Sequence, residues 1–246
     1  MKVYINNILP RIRQFSESLD KKALLVDIPW VIIDENNNQQ KYIFKKNGDL
    51  IMSLNGAVTM GRWEYLSSAR SLLIDRIKDK ILLNQDFVDN AVMLLRQDGI
   101  ESDRFMLANE MLIPDLNIEK YLRNLYIDRN FIKLVETEDG QTVEIHRNDH
   151  YEHNYYRNLV TVEGVPIADG LVVAGQIRFV IQNGRIQKTL ILKEFKTSKG
   201  VLYFEIEKDD KVCAGNRVFL NHKLAPDGVY KLSFFKSVEV KDGLVI

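Results

Sequence analysis

Three of the four histidines of this chain lie close together in one polar segment. His146, His150 and His153 alternate with acidic and amide residues, and imidazole and carboxylate groups are common ligands of Zn²⁺. At these spacings the three rings would share one face only on an α-helix. The flanking segments 142–145 and 159–162 instead have the β-branched composition of strands. A Zn²⁺ site is one interpretation, and the flanks favour another, a long exposed loop.

The same segment is rich in tyrosine, with Tyr151, Tyr155 and Tyr156 in and after the histidine pattern. Loops carry a large share of the binding residues of proteins. Tyrosine contributes a broad amphipathic contact surface to such loops. We therefore expect these three side chains to contact a protein partner.

Other reactive residues lack the neighbours that catalysis requires. Cys213 is the only cysteine, and we expect it to be a small buried apolar side chain rather than a nucleophile. Signatures of serine hydrolases, P-loop proteins, zinc proteases, dithiol enzymes and dinucleotide folds are absent. Paired carboxylates catalyse only across a shared cleft, whereas we expect solvated turn residues at the acid pairs Asp86/Asp89, Glu136/Glu138 and Asp209/Asp210.

The charge composition gives no sign of a polyanionic partner. The chain carries 34 basic and 34 acidic side chains, so it has no net field to attract nucleic acid or an anionic membrane. A single cysteine cannot form an internal disulfide. The amino-terminal residues are too polar for a signal peptide, and no run approaches the roughly 18 apolar residues of a membrane span. We expect a cytoplasmic protein without nucleic-acid or membrane partners.

Short β-strands are the main elements that would position these residues. Between residues 24 and 108, apolar β-branched runs alternate with turn signals such as Asn47-Gly48 and Asn55-Gly56. Asn-Gly steps accept the positive φ values of type I′ hairpin turns, and a parallel crossover would need a dozen or more residues. The pattern predicts an antiparallel meander that forms a sandwich or a barrel. Its eight candidate strands are 24–33, 41–44, 49–54, 57–65, 71–75, 79–83, 90–95 and 104–108.

Two helices are predicted to flank this meander. Apolar residues at helical spacing predict a helix from about Pro10 to Leu19, with or without an earlier turn. Proline interrupts a helix interior, so Pro10 should start or kink this helix. A second helix, from Ile118 to Tyr126, follows the capping residue Asn117 and is expected to cover the sheet. We divide the chain into an amino-terminal domain, 1–128, and a β-rich carboxy-terminal domain, 129–246.

The second domain contains a duplicated sequence pattern in segments 162–186 and 220–246. The first turns, Asp169-Gly170 and Asp227-Gly228, are 58 residues apart, and Gly184 and Gly243 follow 14 and 15 residues later. Each copy predicts a turn, two strands, a second turn and a strand, with glycine where φ becomes positive. A true duplication and two unrelated hairpins with the same turn chemistry both fit the pattern.

One resemblance concerns residues 30–107. The segment Tyr42-Ile-Phe-Lys-Lys-Asn-Gly-Asp-Leu50, the motif Gly61-Arg-Trp63 and the run Leu72-Leu-Ile74 resemble the small lipocalin-like domains of bacteria. The resemblance implies an eight-stranded meander barrel that holds an apolar ligand. Trp30, Phe44 and Trp63 would line such a cavity if the barrel is closed and hollow, and would otherwise anchor its core. A pleckstrin-homology-like barrel capped by the helix at 118–126 fits equally well.

A second resemblance covers about 25 carboxy-terminal residues. The segments Ala225-Pro-Asp-Gly-Val-Tyr-Lys-Leu232 and Val238-Glu-Val-Lys-Asp-Gly243 are similar to a short β-module at the ends of some bacteriophage and bacterial assembly proteins. This resemblance implies a structural or assembly role.

The sequence therefore predicts a mainly β protein with flanking helices: a barrel-like antiparallel meander, then a β-rich domain with a duplicated hairpin unit. We expect a non-enzymatic binding or scaffold protein that recognises a protein partner, and that can also associate with itself. One alternative is a carrier of a small apolar ligand in the amino-terminal barrel. Another is a metal-dependent enzyme that uses the loop from His146 to His153, with Zn²⁺ as its cofactor.

Overall fold

The computed structural model describes residues 2–19, 22–33, 39–100, 104–208, 210–221 and 223–246. It divides into two compact units, one up to Tyr126 and one from Ile127 onward, and each is described by itself. The mainly β fold class with flanking helices is confirmed, because a closed barrel in the first unit is followed by a large antiparallel sheet in the second. No helix among the described residues is both long and apolar enough to cross a membrane.

The described residues of the first unit form one helix and eight strands. A second helix begins in this unit and continues past its last residue, Tyr126. Two short 3₁₀ turns, Arg13–Phe15 and Lys22–Leu24, separate the first helix from the strands. The elements are α1 (Lys2–Ile12), β1 (Pro29–Ile33), β2 (Gln39–Phe44), β3 (Asp49–Leu54), β4 (Ala57–Leu66), β5 (Ser71–Asp75), β6 (Lys80–Val88), β7 (Val92–Gln97), β8 (Arg104–Asn109) and α2 (Ile118–Arg129).

The eight strands form an antiparallel meander that closes into a barrel. Each strand pairs with the next, and β1 pairs with β8, placing Val31 opposite Ala108. Closure removes the exposed edges that would otherwise invite further strand pairing. The turn between β3 and β4 has φ values of 50° at Asn55 and 85° at Gly56, as a two-residue type I′ turn requires. The loop at Asn47-Gly48 differs, because only Gly48 has positive φ there.

Gly61 explains part of the Gly-x-Trp motif. A Cβ atom at this position would lie 2.4 Å from the carbonyl oxygen of Asp75 on the neighbouring strand β5. Such a contact is far inside van der Waals distance, so the close approach of β4 and β5 requires glycine here. Two residues later, Trp63 is buried in the barrel core, where its indole nitrogen donates to the carbonyl oxygen of Lys45 at 2.9 Å.

The first helix begins earlier than the sequence predicted. Pro10 lies inside the last turn of α1 rather than at its start, so the predicted helix from Pro10 to Leu19 is wrong in its bounds. Proline removes a single intrahelical hydrogen bond, whereas Ile5, Ile8, Leu9 and Ile12 all become buried when the turns before it are helical. Burial of this apolar stripe outweighs the cost of the proline.

The second unit is built from thirteen strands in one antiparallel sheet. Its main strand order is β9-β10-β11-β15-β16-β17-β21-β20-β19, with β12, β18 and the hairpin β13–β14 attached to this path. The strands are β9 (Ile132–Glu136), β10 (Thr142–His146), β11 (Leu159–Val162), β12 (Val165–Pro166), β13 (Gly170–Ala174), β14 (Ile177–Gln182), β15 (Arg185–Thr197), β16 (Gly200–Glu207), β17 (Arg217–Leu220), β18 (Lys223–Leu224), β19 (Gly228–Ser233), β20 (Lys236–Lys241) and β21 (Leu244–Val245).

The duplication predicted from the sequence is confirmed in the strand pairing. In the first copy β11 pairs with β12, β13 with β14, β14 with β15, and β15 returns to β11. In the second copy β17, β18, β19, β20 and β21 repeat these four pairings. Asp169 accepts a hydrogen bond from the backbone nitrogen of Asn183 at 2.5 Å, and Asp227 accepts the equivalent bond from Asp242 at 2.7 Å.

In the structure, each repeat copy begins several residues before the start of its predicted segment, 162–186 or 220–246. The nitrogen of Asn158 donates to the oxygen of Tyr155, as that of Asn216 does to Cys213. Each copy contributes to its own apolar core, the first through Phe179 and Ile186 and the second through Tyr230 and Val245. Cys213, which we expected to be buried, is exposed, because it lies in the turn that enters the second copy.

Candidate functional site

A groove in the second unit lies beside the loop that carries the histidines and tyrosines. It encloses about 750 Å³ and is bounded on one side by residues 153–156 of that loop. Gln182 at the end of β14, residues 187–189 of β15 and residues 207–208 at the end of β16 form the other side. We call this feature the loop groove. It brings part of the predicted partner-contact segment against a sheet surface.

The loop between β10 and β11 is held in shape by its own polar residues. Arg147 donates to the carbonyl oxygens of Phe131 at 3.0 Å and His150 at 2.8 Å. Glu152 accepts hydrogen bonds from the backbone of Asn148 at 2.6 Å and from the amide of Asn158 at 3.1 Å. These contacts give the loop a defined shape and occupy the carboxylate of Glu152.

The three tyrosines of this segment have different environments. Tyr151 is 85 % exposed and Tyr156 is 51 % exposed, so both rings are available for contact. Tyr155 is buried beside Phe179, and its hydroxyl accepts a hydrogen bond from Lys133 at 2.7 Å. The expectation that Tyr155 contacts a partner is therefore corrected, because its ring belongs to the core of the first repeat copy.

The three histidines do not form a common site. The Nε2 atom of His146 lies 2.9 Å from the hydroxyl of Thr161, and that of His150 lies 3.5 Å from a carboxylate oxygen of Asp128. His153 is exposed at the loop groove, and its carbonyl oxygen accepts a hydrogen bond from Lys208. Within the described part of the chain, no three His, Cys, Asp or Glu side chains are grouped to hold a metal ion. The Zn²⁺ site therefore stays a prediction from the residue types.

The walls of the loop groove offer both hydrogen-bond donors and acceptors. Lys188 and Glu207 form an ion pair at 2.5 Å, and this hydrogen bond raises the pKa of Lys188 above its ordinary value. Gln182, Gln187 and Thr189 add neutral polar groups. Tyr156 supplies an aromatic face, over which the guanidinium of Arg157 lies 5.3 Å from the ring centre. This arrangement suits a polar chain that carries both donors and acceptors, rather than a strongly charged ligand.

The residues predicted to line a barrel cavity lie in the core of the first unit. Trp30 and Phe44 have no exposed surface, and the ring centres of Phe44 and Trp63 are 5.4 Å apart in an edge-to-face contact. They pack with Leu, Ile, Met and Val side chains in a core to which all eight strands contribute residues. Two buried polar atoms, Nε1 of Trp30 and the hydroxyl of Tyr42, have no hydrogen-bond partner within 3.5 Å among the described residues.

Two acidic residues that we expected in solvent are buried instead. Asp86 receives a hydrogen bond from Arg104 at 2.9 Å, and Arg13 and Arg96 each lie 3.6 Å from its other oxygen. Arg96 and Arg104 face each other across β7 and β8, where like charges would repel without an intervening carboxylate. Only the register of the strands shows which charged side chains lie next to each other.

Asp89 is the second of these buried acids. It accepts hydrogen bonds from the backbone nitrogens of Ala91 and Val92 and from the hydroxyl of Tyr121 on α2. Burial raises the pKa of its carboxyl group above the ordinary value. Glu136, Glu138 and Asp210 are exposed as expected, and Asp209 lies outside the described residues.

Comparison with protein-family models, with curated proteins and with solved structures gives no match for this chain. The function must therefore be argued from the geometry of the two units.

Proposed function

We propose that this protein is a non-enzymatic binding protein that recognises another protein through the loop groove of its second unit. The observation that carries the proposal is the exposed ring of Tyr156 beside a groove of about 750 Å³ with polar walls. Tyrosine is enriched where proteins bind each other because one side chain combines apolar area with a hydrogen-bonding group.

The loop is suited to this role because it is already shaped before binding. Hydrogen bonds from Arg147 and to Glu152 hold it, and Lys208 ties His153 to the sheet. A pre-organised surface loses less conformational entropy on association than a disordered one. The partner segment that fits these walls is a polar polypeptide, since backbone amides supply donors and acceptors together.

Site-specific photocrosslinking in the native cell tests this proposal. A photoreactive phenylalanine analogue replaces Tyr156, and the same analogue at the exposed Val58 of β4 serves as the matched control. We expect a discrete protein adduct from position 156 that is absent from position 58. The crosslinked protein is then purified, and its affinity is compared for the wild type, Tyr156→Ala and Gln187→Ala. Unchanged affinity in both variants, or no adduct at position 156, would contradict the proposal.

A carrier function of the barrel is the second candidate. It is supported by the closure of eight strands and by the buried Nε1 atom of Trp30, which has no hydrogen-bond partner within 3.5 Å among the described residues. The close packing of Phe44 and Trp63 argues against a large ligand. Native mass spectrometry of the purified protein tests this function, because a carrier would show a bound small molecule that denaturation releases.

A metal-dependent enzyme remains the third candidate, based only on the types of residue in the loop. Elemental analysis of protein prepared without chelator checks this candidate, and substoichiometric zinc would contradict it.

For the cellular setting we propose the cytoplasm of a bacterium. The similarity of residues 30–107 to bacterial lipocalin-like domains and of the last 25 residues to assembly modules supports this setting. Balanced charge supports the absence of a nucleic-acid partner.

A further inference from the structure

The hairpin between β19 and β20 presents two phenylalanines to solvent at its tip. Phe234 is 81 % exposed and Phe235 is 95 % exposed, and their ring centres lie 4.9 Å apart in an edge-to-face contact. Leaving both rings in water forgoes the favourable free energy of burying them. We call Phe234 and Phe235 the aromatic knob.

The repeat shows that the hairpin does not need this knob in order to fold. The equivalent hairpin of the first copy, β13–β14, turns through Gly175 and Gln176 after Ala174. That turn has no aromatic residue, yet it joins the corresponding two strands of its copy. The pairing of β19 with β20 differs near the tip by a register shift between Lys231 and Ser233. Adjacent exposed apolar rings are typical of surfaces that bind another molecule.

Lysines flank the knob. The ammonium group of Lys231 lies 5.2 Å from the ring centre of Phe234, and Lys236 follows Phe235 directly. Among the described residues, neither lysine forms a salt bridge with a carboxylate. A partner surface that fits the knob would therefore be apolar at its centre and acidic at its rim.

The second unit contains a surface with that chemistry. A groove of about 410 Å³ lies where the turn between β9 and β10 meets the first residues of β13. Its apolar part includes the buried Val143 and the side chains of Leu171 and Val172, and Leu171 is half exposed. We call it the acidic groove because three carboxylates line it, Glu138, Asp139 and Asp169.

The carboxylates of the acidic groove are not neutralised within the chain. None of the three forms an ion pair with a Lys or Arg side chain among the described residues. A hydrogen bond from Thr137 lowers the pKa of Asp139, so this group is charged at neutral pH. Among the described residues β13 pairs with β14 alone. Its other edge meets the turn between β9 and β10, where the backbone nitrogen of Glu138 donates to the carbonyl oxygen of Val173 at 2.9 Å.

We propose that the aromatic knob of one copy of this protein binds in the acidic groove of a second copy. The exposure of both rings shows that the knob is not seated in the groove of its own chain. Because knob and groove are different surfaces, the contact is heterologous, and repeated contacts build an open chain or a closed ring. The knob and the acidic groove share no residue with the loop groove, so this contact does not depend on the proposed function of the loop groove.

Sedimentation velocity over about 1 to 500 µM protein tests the proposal, a range that covers micromolar dissociation constants. We expect species larger than the monomer to grow with concentration. Phe234→Ser combined with Phe235→Ser should weaken association by about a hundredfold or more. Val58→Ser, which removes an exposed apolar side chain from β4, should leave association unchanged. Higher salt should weaken association, because it screens the rim charges.

A charge-swap experiment examines the rim. Glu138→Lys and Lys236→Glu should each weaken association several-fold, and a chain that carries both substitutions should recover it. A mixing experiment separates a binding defect from a folding defect. The double Phe→Ser chain keeps its groove and a Leu171→Glu chain keeps its knob, so each alone should be monomeric and the mixture should form a 1:1 dimer that grows no further.

Three outcomes would overturn the proposal. The wild type could stay monomeric over the whole range, association could survive loss of both phenylalanines, or the two monomeric variants could fail to pair. Phosphatidylglycerol vesicles examine a different occupant. Binding of monomeric protein to these vesicles through the knob, without self-association, would replace the second copy with a membrane surface.

Discussion

The two units handle their aromatic residues and strand edges in opposite ways. The first unit closes eight strands on themselves and places Trp30, Phe44 and Trp63 inside. In the described part of the second unit, β19 is the end strand of the sheet and pairs on one side alone, and Tyr151, Tyr156, Phe234 and Phe235 are exposed to solvent. Closure of the barrel pairs the edge strands of the first unit with each other. The sheet of the second unit is not closed, so its end strands keep backbone groups that another molecule can pair with. This contrast supports our proposal that the second unit carries the binding surfaces.

The contrast between the two repeat copies is sharper because their backbones follow the same plan. Strand pairing and the bonds to Asp169 and Asp227 are shared, so these features serve the fold. The hairpin tips differ, with Gly175 and Gln176 in one copy and two phenylalanines in the other. Because the hairpin of the first copy forms without aromatic residues at its tip, the fold does not require the two phenylalanines of the second copy.

The largest expected effect is on the core of the barrel. Trp63→Ala should lower the free energy of unfolding of the first unit by about 3–5 kcal/mol, because it removes a buried aromatic ring and leaves a cavity. Hydrogen exchange measured residue by residue should show this loss in residues 39–97 and none in the second unit. Tyr156→Ala in the loop groove should change stability by less than about 0.5 kcal/mol. Equal losses would remove the distinction between core and contact aromatics.

The next effect concerns the close approach of β4 and β5. Gly61→Ala should cost about 1–3 kcal/mol, because the new methyl group would meet the carbonyl oxygen of Asp75 and force the strands apart. Thr59→Ala, at an exposed position of the same strand, is the control and should be nearly neutral. Urea denaturation followed by tryptophan fluorescence measures both. A neutral Gly61→Ala would show that the barrel tolerates a wider strand spacing.

The repeat predicts two matched effects of about 1 kcal/mol. Asp169→Ala and Asp227→Ala each remove a hydrogen bond to a backbone nitrogen at equivalent places in the two copies. Thermal unfolding of the two variants should show nearly the same loss. A difference larger than about 1 kcal/mol between them would mean that the copies are not energetically equivalent.

The smallest effect is a pH dependence in the first unit. Burial raises the pKa of Asp89 above its value in the unfolded chain, so the folded state binds the proton more tightly. Its contribution is fully present below the unfolded pKa of 3.8 and is lost as the pH rises through the raised folded pKa. Stability measured against Asp89→Asn should therefore fall over that window, and a rise instead would contradict the direction of the shift.

Much of the architecture could be predicted from local chemistry. Asn55-Gly56 and the two Asp-Gly steps mark turns because they accept positive φ, and the apolar runs between turns predicted all eight barrel strands. The start of α1 was missed because proline usually interrupts a helix interior. Here the burial of the apolar residues before Pro10 outweighs the cost of the proline. Burial of Tyr155, Asp86 and Asp89 was also missed, since each depends on partners far away in the sequence.

The sequence alone determined where this chain turns and which runs form strands, and it indicated a hairpin unit that occurs twice without excluding two unrelated hairpins. These properties depend on neighbouring residues and on the φ values they accept. Only the tertiary structure decided that β1 meets β8, that Glu138 and Leu171 share a groove, and that Phe234 and Phe235 remain in solvent. Such features arise when segments far apart in the chain pack together, because burial is a property of the assembled fold.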